Sequence, residues 1–150
     1  KLRIGKHWAS ENLECLQGAT PGEVGRRGKY IVWQFRGADD AALGLVIHLG
    51  MSGRCGVATA SQPRVLHTHL ALGFADGREL RLVDPRRFGG VRAGSWETIL
   101  AGPPIGELGP EPLEAGFSGE VLAARLGSSA RPIRDALLED FVQRTLHSLI

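Results

Sequence analysis

The stretch Asp84-Pro85-Arg86-Arg87-Phe88-Gly89-Gly90 sets two guanidiniums beside an aromatic ring. Pro85 fixes φ and removes a backbone donor, which makes this run a poor central strand. Gly89 and Gly90 free the backbone for a sharp turn or for close approach to a ligand. Paired arginines suit bidentate contacts to phosphates or base edges, and a phenylalanine can stack on bases or wedge between them. The same residues also fit a charged turn in which Phe88 plugs the core and Asp84 pairs with an arginine.

Further groups could share that chemistry. Arg26-Arg27-Gly28-Lys29-Tyr30 clusters cations around a glycine ahead of a strand. Lys29 could bind a phosphate as a point charge or donate a proton to a leaving oxygen; the alternative is a basic hairpin tip in solvent. In His48-Leu49-Gly50-Met51-Ser52-Gly53, flanking glycines place Met51 on a tight loop. A flexible thioether there could fill the gap left by an extruded base, although most methionines fill cores. His67 and His69 share one face if they lie on a strand, and could ligate a metal or contact phosphates. No further ligand stands at a useful distance, since position 73 is Gly73 and Glu79 lies across a turn, so no metal site is assigned.

These residues need elements to hold them. Tyr30 to Phe35 is β-branched and aromatic, hence a strand, followed by a turn at Gly37 to Asp40. Leu43 to Leu49 is apolar enough for a strand buried on both faces. Arg54 to Val57 extends the sheet after a bend at Gly50 to Gly53, and Ala58 to Leu66 is a loop. His67 to Phe74 and Glu79 to Val83 alternate as half-buried strands around the Asp76-Gly77 hairpin turn. Gly90 to Ala93 reads as a short strand and Trp96 to Ala101 as a turn of helix. Ser10 caps a predicted helix that ends at Gly18. Gly102-Pro103-Pro104-Ile105-Gly106 marks a linker or boundary. Beyond it Ser118 caps one helix and Pro132 opens a second, with a stripe of Ile133, Ala136, Leu137, Phe141 and Leu146. The expectation is an α+β, mainly β chain: an antiparallel sandwich or barrel over 1–105, then helices over 106–150.

Composition narrows the class without choosing a function. The 150 residues are 43% hydrophobic and 23% charged, ordinary for a globular chain, with a net charge of only +2. Cations gather at Arg26, Arg27 and Lys29 and at Arg86 and Arg87, while acids concentrate after Glu107, so a local basic face is compatible with a nearly neutral chain. Cys15 and Cys55 read as small buried thiols in a reducing compartment, and no Cys-x-x-Cys is present. No run has the length of a bilayer span, and Lys1-Leu2-Arg3-Ile4 starts without a signal core or a methionine, which allows a processed or truncated start.

Taken in order, Arg26 to Tyr30, His48 to Arg54, His67-x-His69, Asp76-Gly77-Arg78, Asp84 to Gly89 and Leu108-Gly109-Pro110-Glu111-Pro112-Leu113 resemble the formamidopyrimidine-DNA glycosylase family of base-excision enzymes, over nearly the whole chain to about Leu138. The resemblance implies a two-layer β-sandwich with flanking helices, then a helix–two-turn–helix domain, with DNA in the cleft between them and the damaged nucleotide flipped out. It places Met51, Arg86 and Phe88 on the residues that fill the void, Arg86 facing the orphaned base and Phe88 wedging the stack. It places Lys29 on the lysine that contacts phosphate and donates a proton in β-elimination, and His67 on a DNA-contacting histidine, with Arg87 beside them. A basic residue is common in the family where Ser129 stands, and Arg131 or Arg134 would substitute for it.

The chain also departs from the pattern. The family's nucleophile, an N-terminal proline followed by glutamate, has no counterpart in the opening Lys1-Leu2. The glycine-rich turn and Gly-Asn-Ile-Tyr run expected after Leu138 are replaced by Glu139 to Ile150, and the zinc finger is not in this chain. The resemblance therefore implies a fragment of a glycosylase that removes oxidised purines and nicks the abasic strand. No cofactor is expected within the chain, and zinc is expected in the finger of the parent protein. The partner is double-stranded DNA with an oxidised purine or abasic site, and the protein is monomeric, cytoplasmic and nucleoid-associated. Alternatives are a non-catalytic DNA-binding homologue and a metal-dependent β-barrel enzyme using His67 and His69. The fragment reading expects no borohydride-trapped adduct between this chain and abasic-site DNA; a trapped adduct would refute it.

Overall fold

A computed structural model describes residues 2–4, 9–127, 130 and 132–135. Two β-sheets face each other. One orders its strands β1 (Leu2–Ile4), β7 (Thr68–Gly73), β8 (Arg78–Val83) and β6 (Arg54–Thr59). The other runs β2 (Ala9–Glu11), β9 (Gly90–Ser95), β5 (Ala42–His48), β4 (Tyr30–Arg36) and β3 (Thr20–Arg27). The pairs are antiparallel except β2 with β9. Leu70, Leu72, Leu80 and Leu82 from the first sheet meet Phe35, Leu45, Ile47, Val91 and Ala93 from the second. Alternate side chains of a strand share one face, so these sets form the layer between the sheets.

The segment after Ser10 differs from the expected capped helix. Ser10 lies in β2, opposite Val91, and only Leu13–Leu16 coil, as a 3₁₀ turn. Its two buried residues, Leu13 and Leu16, are three apart, the repeat of that turn. Burying both leucines beside β9 competes with extending the coil, and Gly18 at φ 75° leads away toward β3. Cys15 on this turn is exposed and Cys55 half-buried, both free, so the reading of two buried thiols fails for Cys15.

The strand after the Gly50 to Gly53 bend does not extend the sheet it leaves. It crosses to the other layer and pairs with β8 from Arg54↔Val83 to Thr59↔Arg78. β7 and β8 are buried on both faces rather than one. The polar positions that suggested a solvent face are themselves covered. Arg81, 8% exposed, donates to the carbonyls of Thr59, Gln62 and Pro63, and its Nε meets Glu79 Oε2 at 3.0 Å. Arg64 from the same loop reaches Glu79 Oε1 at 2.5 Å. Of the five donors of its guanidinium, Arg81 thus sets one on Glu79 and three on the carbonyls that hold loop 60–67 against the sheet.

The outer face of the second sheet carries a smaller cluster of Tyr30, Val32, Val46, Ile99 and Ile105. Helix α1 (Trp96–Ala101) packs there over Gly44, where a Cβ would meet Trp96 and Ile99 atoms at 3.0 to 3.2 Å. Ser95 caps it by accepting from the Thr98 N–H. Ile105, in the segment expected as a linker, packs into this cluster. Ser118 caps α2 (Gly119–Leu126) as expected. Residues 133–135 are helical after Pro132. The rest of that stripe, with Ser129 and Arg131, lies outside the described residues.

Candidate nucleic-acid interface

Strand register gathers several loops at one end of the sandwich. In the second sheet Tyr30, His48 and Gly90 form one row across β4, β5 and β9. The tip bearing Lys29, the loop starting at Leu49 and the loop ending at Gly89 therefore leave the sheet side by side. In the first sheet Arg54, Val83 and Thr68 form the matching row across β6, β8 and β7. Gly53, Asp84 and His67 adjoin that row, so the loops from both layers meet.

Asp84 ties them together. It is 1% exposed. Its Oδ1 accepts from Ser52 Oγ at 2.8 Å and its Oδ2 from the Gly89 N–H at 2.7 Å. Its own N–H donates to the His67 carbonyl at 3.0 Å, and its carbonyl lies 3.0 Å from His69 Nε2. Ser52 Oγ also lies 3.3 Å from the Arg86 N–H. The alternative reading of Asp84 as an arginine's partner in a surface turn gives way to a buried carboxylate joining loops. Gly50 completes the contact: at φ 62°, it brings its Cα so close that a Cβ would fall 2.6 Å from the Phe88 carbonyl carbon.

The side chains on these loops point outward. Met51 is 74% and Phe88 53% exposed, which excludes a core methionine and a core plug. The Arg86 guanidinium stacks 4.7 Å above the Phe88 ring, a cation–π pair. Arg87 is exposed and takes φ 59°; His67 is half-buried at φ 66°. Left-handed backbone in such residues costs on the order of 1–3 kcal/mol each and collects at functional sites. His67 precedes β7 rather than lying on it. Its ring centroid is 6.4 Å from that of His69, and the His69 ring is turned to Asp84. Among the described residues no three His, Cys, Asp or Glu side chains group around a possible metal position. Arg134 pairs with its chain neighbour, with Nε and Nη2 on Asp135 Oδ1 at 2.9 Å.

Lys29 is exposed at the β3–β4 tip. Behind it sits His48, which the sequence reading did not single out. Its ring packs 5.0 Å from that of Tyr30, within reach of the Lys29 charge and hydrogen-bonded to the Phe88 backbone. Burial and then the Lys29 charge push its pKa below the ordinary imidazole value, against the pull of the Phe88 backbone and Asp84. His48 is therefore neutral near pH 7, available for hydrogen bonding without adding charge. A histidine closing an apolar strand just before a Gly-x-x-Gly loop was the available signal.

The arrangement projects; it does not enclose. Grooves of about 460 and 520 Å³ lie along the sheet flanks, one beside Trp96 and Leu108, the other beside Val57 and Pro63. Exposed Lys29, Arg54, Arg86 and Arg87 share this loop end with exposed Met51 and Phe88. The described residues form a two-layer sandwich whose cationic loop end carries exposed apolar side chains.

Comparison with known proteins places that sandwich. The family described as the formamidopyrimidine-DNA glycosylase N-terminal domain matches residues 3–91, and the chain belongs to this family. A formamidopyrimidine-DNA glycosylase of Geobacillus kaustophilus is 42% identical over 125 residues, covering 83% of this chain and 44% of the relative. One from Acidiphilium cryptum is 40% identical over 135 residues, covering 87% and 45%. The structure of the Lactococcus lactis enzyme with abasic-site DNA superposes with a TM-score of 0.70 at 33% identity, over 81% of this chain and 44% of that one. The LlFpg protein with a THF-DNA and an inhibitor gives 0.79 at 30% identity, over 93% and 52%. The chain spans less than half the length of the curated relatives it matches.

Proposed function

We propose that this chain is the DNA-gripping and base-everting part of a base-excision glycosylase. The whole protein would remove oxidised purines, formamidopyrimidine and 8-oxoguanine, from double-stranded DNA and nick the abasic strand by β/δ-elimination. The observation that carries this reading is the convergence, through Asp84, Ser52 and Gly50, of loops bearing Met51, Arg86, Phe88 and His67. Met51 and Phe88 occupy the space of an everted nucleotide, and Phe88 wedges the stack. Arg86, held over Phe88, faces the orphaned base. Lys29 holds a phosphate and donates the proton that β-elimination requires. His67 and Arg87 grip the backbone on the flank, and Arg131 or Arg134 adds a contact from the helical part. Residues 1–105 form the sandwich unit and 106–150 open the helical one. Zinc belongs to a finger in the parent protein, which acts as a monomer on the nucleoid.

Titration with a duplex holding an abasic-site analogue, across a salt series, tests this. The logarithm of affinity should fall linearly with the logarithm of salt concentration, and Lys29→Ala should reduce the slope by about 1, the value of one lost phosphate contact. Affinity that does not change with salt would overturn the reading.

A further inference from the structure

The hairpin carrying Lys29 is held from outside the sandwich. Gly28 takes the left-handed conformation at φ 56°, and its N–H donates to Glu111 Oε1 at 2.8 Å, 83 residues further along. The same oxygen meets Arg27 Nη1 at 2.8 Å, while Arg27 Nη2 donates to the Gly109 carbonyl at 2.6 Å. Leu108 packs against the turn, since a Cβ on Gly28 would lie 3.4 Å from its Cδ1. The segment 108–111 thus grips both residues that precede Lys29. The Gly28 N–H, and then the Arg27 guanidinium, hold the Glu111 carboxyl below the usual carboxylate range, so it is ionised near neutral pH.

We propose that Glu111 is a positioning residue for Lys29, fixing the Gly28 turn so that the ammonium meets the DNA phosphate without first being ordered. The inference rests on the reading of Lys29 as a phosphate contact. It makes an unusual directional demand. An acid that merely stood near a phosphate site would repel DNA, and neutralising it would strengthen binding. A clamp predicts the opposite, because a loosened tip loses the order its contact depends on.

The test uses the full 150-residue chain and the abasic-analogue duplex. Lys29→Ala should weaken binding about tenfold and lower the salt slope by about 1. Glu111→Ala should weaken it about five- to tenfold with a similar loss of slope, and the Lys29→Ala, Glu111→Ala double variant should be no weaker than Lys29→Ala alone. Glu111→Gln keeps an oxygen for the Gly28 N–H and should fall between wild type and Glu111→Ala. It is close to isosteric and guards against a variant that fails to fold. A loss of folded protein would lower the active fraction and leave the salt slope unchanged, which separates a structural role from a positioning one. Glu111 variants that bind as tightly as wild type or tighter, that keep the full slope, or whose losses multiply with that of Lys29→Ala, overturn the proposal while leaving Lys29 a contact. Wild-type affinity and slope in Lys29→Ala would instead remove the reading of Lys29 itself, and the clamp falls with it.

Discussion

Replacing Asp84 by alanine is expected to destabilise the chain by about 2–4 kcal/mol and to erase the preference for an abasic-analogue duplex over an intact one that the proposed function entails. The carboxylate is 1% exposed and accepts from Ser52 Oγ and the Gly89 N–H. Deleting it leaves the buried Gly89 N–H and the half-buried Ser52 hydroxyl without that acceptor, and a buried orphan costs about 1–3 kcal/mol. The loops it joins carry Met51 on one side and Arg86 and Phe88 on the other, so their relative placement goes with it. Asp84→Asn should retain about half the stability, because one oxygen still serves Ser52 while the amide NH₂ confronts the Gly89 N–H. Urea melts give the stability and fluorescence anisotropy with the two duplexes gives the preference. An Asp84→Ala chain that melts like wild type, or still prefers the abasic duplex, would show that the loops stay together without it.

Gly50→Ala should be nearly as harmful, for a different reason. At φ 62° an L side chain already costs about 1–2 kcal/mol. The added methyl would also lie 2.6 Å from the Phe88 carbonyl carbon and 2.8 Å from the Gly89 nitrogen. Both are backbone atoms, so no flexible side chain can yield, and the Phe88 loop must move. The expected penalty is about 3 kcal/mol or more, with at least a tenfold loss of affinity for the abasic duplex. Gly77→Ala is the control. Its φ is 81°, but a Cβ there meets nothing within 4 Å, so it should cost only about 1 kcal/mol and leave DNA affinity unchanged. Equal effects from the two substitutions would mean that the loops are not pressed together at Gly50.

Features written in local chemistry were legible in the sequence. β4 showed in Tyr30-Ile31-Val32-Trp33-Gln34-Phe35, the β7–β8 hairpin in Asp76-Gly77, the helical turn in Trp96 to Ala101, and a later helix start in Ser118. The exposed Met51 was legible from its flanking glycines. Features set by distant partners were hidden. The segment after Ser10 looked helical because nothing local reveals that two leucines three apart will enter a core beside β9. Glu79 and Arg81 looked solvent-facing because the carbonyls that bury Arg81 come from Thr59, Gln62 and Pro63. His48 and Glu111 gain their significance from register and from a contact spanning 83 residues, neither of which a pattern along the chain displays.

Arg81 has a consequence for how this fold tolerates change. It holds the loop between β6 and β7 through main-chain oxygens, so the loop's path depends on a residue outside it; of the loop's own side chains Arg64 adds a tie to Glu79, while exposed Val65 and Leu66 take little part. Such a segment can drift in sequence at its other positions, or be grafted between homologues of equal loop length, and still deliver His67 to the same place, provided Arg64 travels with the loop and Glu79 and Arg81 stay behind in the recipient strand.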